Sequence, residues 1–113
     1  GEQLFESVAC ANCHIPALEG PTGPVQLYSD LLLHEILPAR ARGIESGSAN
    51  MREFRTSPLW GVRDTGPYMH SGEADTLMEA IELHAGEATS SRDAYRKLDP
   101  DELRAIITFL NSL

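Results

Sequence analysis

Apolar residues recur at helical spacing near both ends of this chain, and the gaps between them are dense in glycine and proline. Leu4, Phe5 and Val8 give one apolar face, so a first helix is predicted from Gly1 to Ala9. Thr76-Leu77-Met78-Glu79 has the form of a capping box, in which hydroxyl and carboxylate satisfy the free N–H groups of a helix start. Leu77, Ala80, Ile81, His84 and Ala85 then share one face, and Gly86 stops or kinks that helix. Asp99-Pro100-Asp101-Glu102 predicts the last helix, with Asp as cap, Pro at the first helical position and acids in the first turn. Its buried stripe is Leu103, Ile106, Ile107, Leu110 and Leu113; between the two, Ser91 to Leu98 predicts a further turn or two of helix.

The remaining segments read as connections. Pro16, Gly20, Pro21, Gly23 and Pro24 predict a loop over residues 15–26 with no helix in it. Tyr28 to Leu37 is an apolar run interrupted by His34 and ended by Pro38, expected to form buried wall, helical or irregular. Ala39 to Asn50 reads as loop, a short turn or helix is expected at Pro58 to Val62, and residues 66–72 form a second loop. No run alternates long enough to predict a strand, and no internal repeat is visible. The expected fold is therefore all-α, one domain over residues 1–113, with the first and last helices packed against each other.

Charge narrows the partners. At 113 residues and formal net charge −8, the chain is a poor match for nucleic acid or an anionic membrane surface, and a positively charged docking partner is expected. No apolar run reaches the length of a transmembrane helix, so no membrane insertion is expected. The chain starts at Gly1, which is read as a removed leader or a module of a longer protein.

Chemistry enters at Cys10-Ala11-Asn12-Cys13-His14. A Cys-x-x-Cys-His run is the attachment signature of a c-type haem, with two thioether bonds to the cofactor and the next imidazole on iron. These are the only two cysteines, so no thiol is left for a disulfide framework or a four-thiolate zinc site. A thioredoxin-like thiol pair would want a βαβ pattern, and none is present. One covalently attached haem c is expected, stapling a small core, in the manner of the small c-type cytochromes. Such attachment takes place outside the cytoplasm, so a periplasmic or secreted location follows.

His14 supplies the proximal ligand. For the opposite face the sequence offers His34, His70, His84, Met51, Met69 and Met78. His84 falls on the apolar face of its helix, where an imidazole without a partner is costly; a core histidine bonded to a carbonyl is the bland alternative. Met69 is the runner-up, from a loop before the last helices.

In order along the chain, Leu4-Phe5 before the haem motif, Tyr28 to His34, Arg55-Thr56-Ser57-Pro58-Leu59-Trp60-Gly61, Pro67-Tyr68-Met69-His70-Ser71-Gly72, Thr76 to Ile81 and His84-Ala85-Gly86-Glu87-Ala88 resemble one family. It is the bacterial di-haem cytochrome c peroxidase superfamily, in its C-terminal cytochrome domain and most closely its thiol-oxidoreductase-like branch. The resemblance implies that the position of His84 carries the second ligand, methionine in the peroxidases and histidine in that branch. Members have two haems in two domains; this chain has one motif and resembles the electron-transferring half.

Five arginines, Arg40, Arg42, Arg52, Arg55 and Arg63, fall between residues 40 and 63. Arg55 and Arg63 are the candidates for haem propionates, since guanidinium pairs with carboxylate through two bonds, and a solvated basic face is the alternative. Trp60 and Tyr68 are expected to pack on the haem with their polar tips bonded. The reading that results is an electron-transfer cytochrome, not an enzyme on its own, with a six-coordinate low-spin haem serving an oxidase, peroxidase or copper enzyme. The alternatives are a haem enzyme or ligand-binding domain with an open distal site, and a docking module of a larger protein.

Overall fold

Helix α1 (Glu2–Ser7) brings Phe5 inward and ends at Val8, after which Ala9 turns left-handed (φ 64°) into a 3-10 turn over Cys10–Asn12. A computed structural model describes residues 1–39 and 42–113 of the chain, and every structural statement below concerns those residues. Arg40, one of the arginines expected at the haem edge, lies outside them. After the turn come two short strands, β1 (Leu18–Gly20) and β2 (Gly23–Val25), then β3 (Leu33–His34) and, some twenty residues on, β4 (Phe54–Arg55). A 3-10 turn at Val62–Asp64 precedes α2 (Leu77–Leu83), a 3-10 turn at Gly86–Ala88, α3 (Thr89–Tyr95) and α4 (Pro100–Leu110).

The all-α expectation is overturned by two small antiparallel sheets, β1 with β2 and β3 with β4. Leu18 pairs with Val25, Glu19 with Pro24 and Gly20 with Gly23, so the proline-rich stretch read as plain loop is a hairpin. Proline survives there because a two-stranded ribbon has only edges, and Gly23 supplies the left-handed turn geometry (φ 122°). In the second sheet, Leu33 pairs with Arg55 and His34 with Phe54. The segment before it is not wall throughout: Leu37 is buried, but Leu32 is 60% exposed. Its anchor is polar, the buried Ser29, whose hydroxyl donates to the Thr56 carbonyl (2.7 Å) and accepts from the Leu31 amide (2.9 Å).

Helix starts follow their chemistry. Thr76 accepts from the Glu79 amide while Glu79 accepts from the Thr76 amide, and Asp99 with Glu102 does the same for α4. From α4, Ile106 and Leu110 meet Phe5 and Val8 at the start of the chain, together with Val62 and Tyr95, to form the core. Phe5, Tyr28 and Phe109 stand edge-on to one another at 5.5–6.5 Å between ring centres, joining α1 to α4 through aromatic quadrupoles. This α1–α4 corner forms one end of the cavity in which the chemistry-bearing residues meet.

Candidate haem site

A cavity of about 600 Å³ runs from the Cys10–His14 turn to the end of α2, within the roughly 300–1,000 Å³ usual for cofactor sites. Phe5, Ile106 and Leu110 close its core side, and Leu77, Ala80 and Ile81 of α2 line another wall. Cys10, Cys13, His14 and His84 all face it.

The two histidines are held in the same way by different parts of the chain. Nδ1 of His14 donates to the Tyr28 carbonyl (2.9 Å), and Nδ1 of His84 donates to the Ala80 carbonyl (2.7 Å). A carbonyl can only accept, so each Nδ1 carries the proton and each Nε2 keeps its lone pair. Burial pushes His14 down to about 4 against the opposing pull of the Tyr28 carbonyl, and the charge of His84 lowers it further. Burial also lowers His84, partly offset by its bond to Ala80. Both are therefore neutral at physiological pH, the state in which imidazole binds a metal. Burial raises the Cys10 thiol to about 11 and the Cys13 thiol above its ordinary value, the charges of Asp30 and Glu87 adding to the latter.

The sequence placed His84 on the helix, but α2 ends at Leu83 and His84 is its cap, with extended backbone (φ −60°, ψ 127°). Its amide still bonds the Ile81 carbonyl (3.1 Å), and the chain then turns to lie along residues 35 and 36. The Ala85 amide donates to Ile36 (2.7 Å) and the Glu87 amide to Glu35 (2.9 Å). Gly86 (φ 54°) sits where a Cβ would overlap the Glu35 carbonyl, so this seam is main chain against main chain.

The other candidates divide. Arg55 lines the cavity and donates to the Leu31 carbonyl (2.9 Å), whereas Arg63 points away to Asp64 (3.4 Å). Tyr68 lines the cavity; Trp60 is 55% exposed and does not. Met69, in left-handed backbone (φ 67°), reaches the cavity, while Met51 and Met78 are exposed and outside it. His70 lines it against the Phe54 ring (4.5 Å), and both nitrogens of His34 are taken by carboxylates.

Sequence reasoning missed Arg92, which lines the cavity from α3, donates to the His84 carbonyl (2.9 Å) and pairs with Asp93 (2.9 Å). It lies outside the arginine-rich stretch, and only the fold brings it to the end of α2. Two thiols and two lone-pair-bearing imidazoles around one cavity are the donor set that a covalently held haem requires, so the residues fit the group. Among the described residues, no helix is long and apolar enough to cross a membrane.

Relatives point the same way. The chain is 29% identical to the cytochrome c551 peroxidase of Nitrosomonas europaea over 119 residues, covering all of this chain and 33% of that protein. It is 29% identical to the cytochrome c551 peroxidase of Pseudomonas aeruginosa over 121 residues, covering 32% of it. The hydrazine synthase subunit gamma of Kuenenia stuttgartiensis is 26% identical over 147 residues, 40% of its length. The chain thus spans about a third of the curated peroxidases it matches, and no solved structure matches it significantly. Two of these relatives are named as peroxidases, so the expectation of a non-enzyme draws no support from them. The model described as "Di-haem oxidoreductase, putative peroxidase" matches residues 1–113, and the chain belongs to that di-haem oxidoreductase family.

Proposed function

We propose that this chain is an electron-transfer cytochrome domain holding one haem c, attached through Cys10 and Cys13 and ligated by His14 and His84. The observation that carries this reading is the pair of imidazoles on one cavity, each with Nδ1 bonded to a main-chain carbonyl and Nε2 free to ligate. When bound, the haem supplies a one-electron Fe(II)/Fe(III) couple. The protein's share is to orient and to exclude. The Tyr28 and Ala80 carbonyls fix both rings and make them stronger donors. Arg55 and Arg92 place positive charge at the cavity wall, where haem propionates need charge-assisted donors.

Two nitrogen ligands favour a lower potential than nitrogen with thioether, and they leave no position for a substrate. The acidic chain suits a positively charged redox partner, and the attachment chemistry belongs outside the cytoplasm. Optical spectra of both oxidation states, with carbon monoxide and cyanide added, test the reading. A low-spin spectrum that resists both ligands in the intact protein, and turns high-spin in His84→Ala, is the expected result. Rapid stoichiometric binding by the intact protein would favour an open, peroxidase-like site instead. A His84→Ala spectrum and potential that do not move would remove His84, and Met69→Ala would then be the variant to make.

A further inference from the structure

Asp30, His34 and Glu87 form a chain of charged bonds running beside the cavity from one proposed ligand segment to the other. The Asp30 amide donates to the Cys13 carbonyl (2.8 Å), fixing Asp30 to the haem motif. Nε2 of His34 donates to Asp30 (2.9 Å), and Nδ1 of His34 donates to Glu87 (3.0 Å), 53 residues further on. The second oxygen of Glu87 accepts from the Glu35 amide (2.8 Å). Glu87 stands three residues after His84 and lines the cavity.

A neutral imidazole has one N–H, and a carboxylate can only accept, so two carboxylate partners require the doubly protonated ring. The bonds to Glu87 and Asp30 raise His34 above its ordinary value, in keeping with that state. The side chains of His34 and Asp30 are 17% and 10% exposed, which shields that half of the chain, while Glu87 is 55% exposed and its half is held by a second bond to the Glu35 amide. Among the described residues, the neighbouring charged and titratable groups include the exposed Glu35–Arg52 pair (2.8 Å), Arg55 bonded to the Leu31 carbonyl, the Cys13 thiol and His14. None of these supplies a second cation to either carboxylate. Cys13, Asp30 and His34 place ligand atoms within 4.8 Å of one another, but the bonds to Asp30 and Glu87 use both ring nitrogens, which argues against a metal site.

We propose that His34 is a positioning residue for the distal ligand: through Glu87 it holds the segment after His84 at a fixed distance from the Cys13–His14 turn, and so keeps His84 on the iron. This rests on the reading that His84 is that ligand. Main-chain bonds from Ala85 and Glu87 hold the segment to residues 35 and 36 without the imidazolium. Loss of the clamp therefore loosens the ligand while the fold stays.

The test is cyanide affinity of the ferric, haem-loaded protein at one pH, with the low-spin fraction read from the same spectra. His34→Gln and Glu87→Gln are each expected to raise cyanide affinity about tenfold, within the range that coupled neighbours show. The double variant should do no more than either single change, because both break one unit. Arg52→Gln, in the neighbouring exposed ion pair, should leave affinity unchanged. Circular dichroism on each variant, with Asp30→Asn as an alternative break in the chain, separates loosening from unfolding. If His84→Ala opens the site but all three clamp variants bind cyanide like the parent, the clamp is refuted and the ligand assignment stands. If His84→Ala itself changes nothing, the ligand assignment fails.

Discussion

Ile106 is 1% exposed and serves two purposes at once, packing in the core with Phe5, Val8, Val62, Tyr95 and Leu110 and forming part of the cavity wall. Truncating it to alanine removes three carbons, or about 2.4 kcal/mol at roughly 0.8 kcal/mol per buried methylene. A further term arises because the helices around it cannot collapse, and such deletions cost about 2–5 kcal/mol in all. Its near-complete burial, at 1% exposed, places Ile106→Ala in the middle of that range, about 3–4 kcal/mol. With a urea dependence of roughly 1–3 kcal/mol per molar, the midpoint falls by about 1–4 M. Urea melts followed both by haem absorbance and by far-ultraviolet dichroism measure it. Met78→Ala, at a residue 54% exposed, is the control and should move stability by less than about 0.5 kcal/mol. A loss below about 1 kcal/mol for Ile106→Ala would show that α4 is not the core helix described above.

Stability should also depend on pH through the clamp. Glu87 is held low by its bonds to His34 and Glu35; burial raises Asp30, but its bonds to the Leu32 amide, His34 and Thr56 hold it below the ordinary value. Their contributions are present above the unfolded carboxylate values and are lost as pH falls through the lower folded ones. His34 is raised, so its contribution is complete below its unfolded value and is lost as pH climbs through the folded one. The clamp's own contribution is expected to be greatest near about pH 5 to 6, and His34→Gln should flatten the alkaline side relative to the parent; equal slopes above that range in parent and variant would contradict the linkage. Trp60→Ala should leave the haem absorption bands in place, because the indole is 55% exposed and off the cavity. A shifted band would put Trp60 against the haem.

Helix starts were legible because capping is local: Thr76 with Glu79 and Asp99 with Glu102 carry their own chemistry within four residues. The core stripe of α4 was legible for a similar reason, since its period repeats over eleven residues. The strands were not. Three-residue and two-residue strands are too short for alternation to register, and β3 finds β4 across about twenty residues of chain. Periodicity marked His84 as inward-facing but missed that the helix stops one residue before it. Arginine density drew attention to residues 40–63, yet Arg63 pairs outward with its neighbour while Arg92, from another helix, reaches the His84 carbonyl. Contacts made across the fold leave no mark on local composition. The same holds for His34, which interrupts an apolar run because two carboxylates, one of them 53 residues away, bond its ring.

The seam at Gly86 bears on how this site can change over time. The register of residue 84 is set on one side by α2 and on the other by main-chain bonds from Ala85 and Glu87 to residues 36 and 35, with the His34–Glu87 bond bracing the same segment through a side chain. Nothing in that register depends on which side chain residue 84 carries. The backbone there acts as a socket, so if residue 84 is the ligand proposed above, its donor atom can be exchanged by a single substitution while its mounting stays put. A site of this kind can be retuned in potential without being refolded, provided residue 86 stays glycine, because a Cβ there would strike the Glu35 carbonyl.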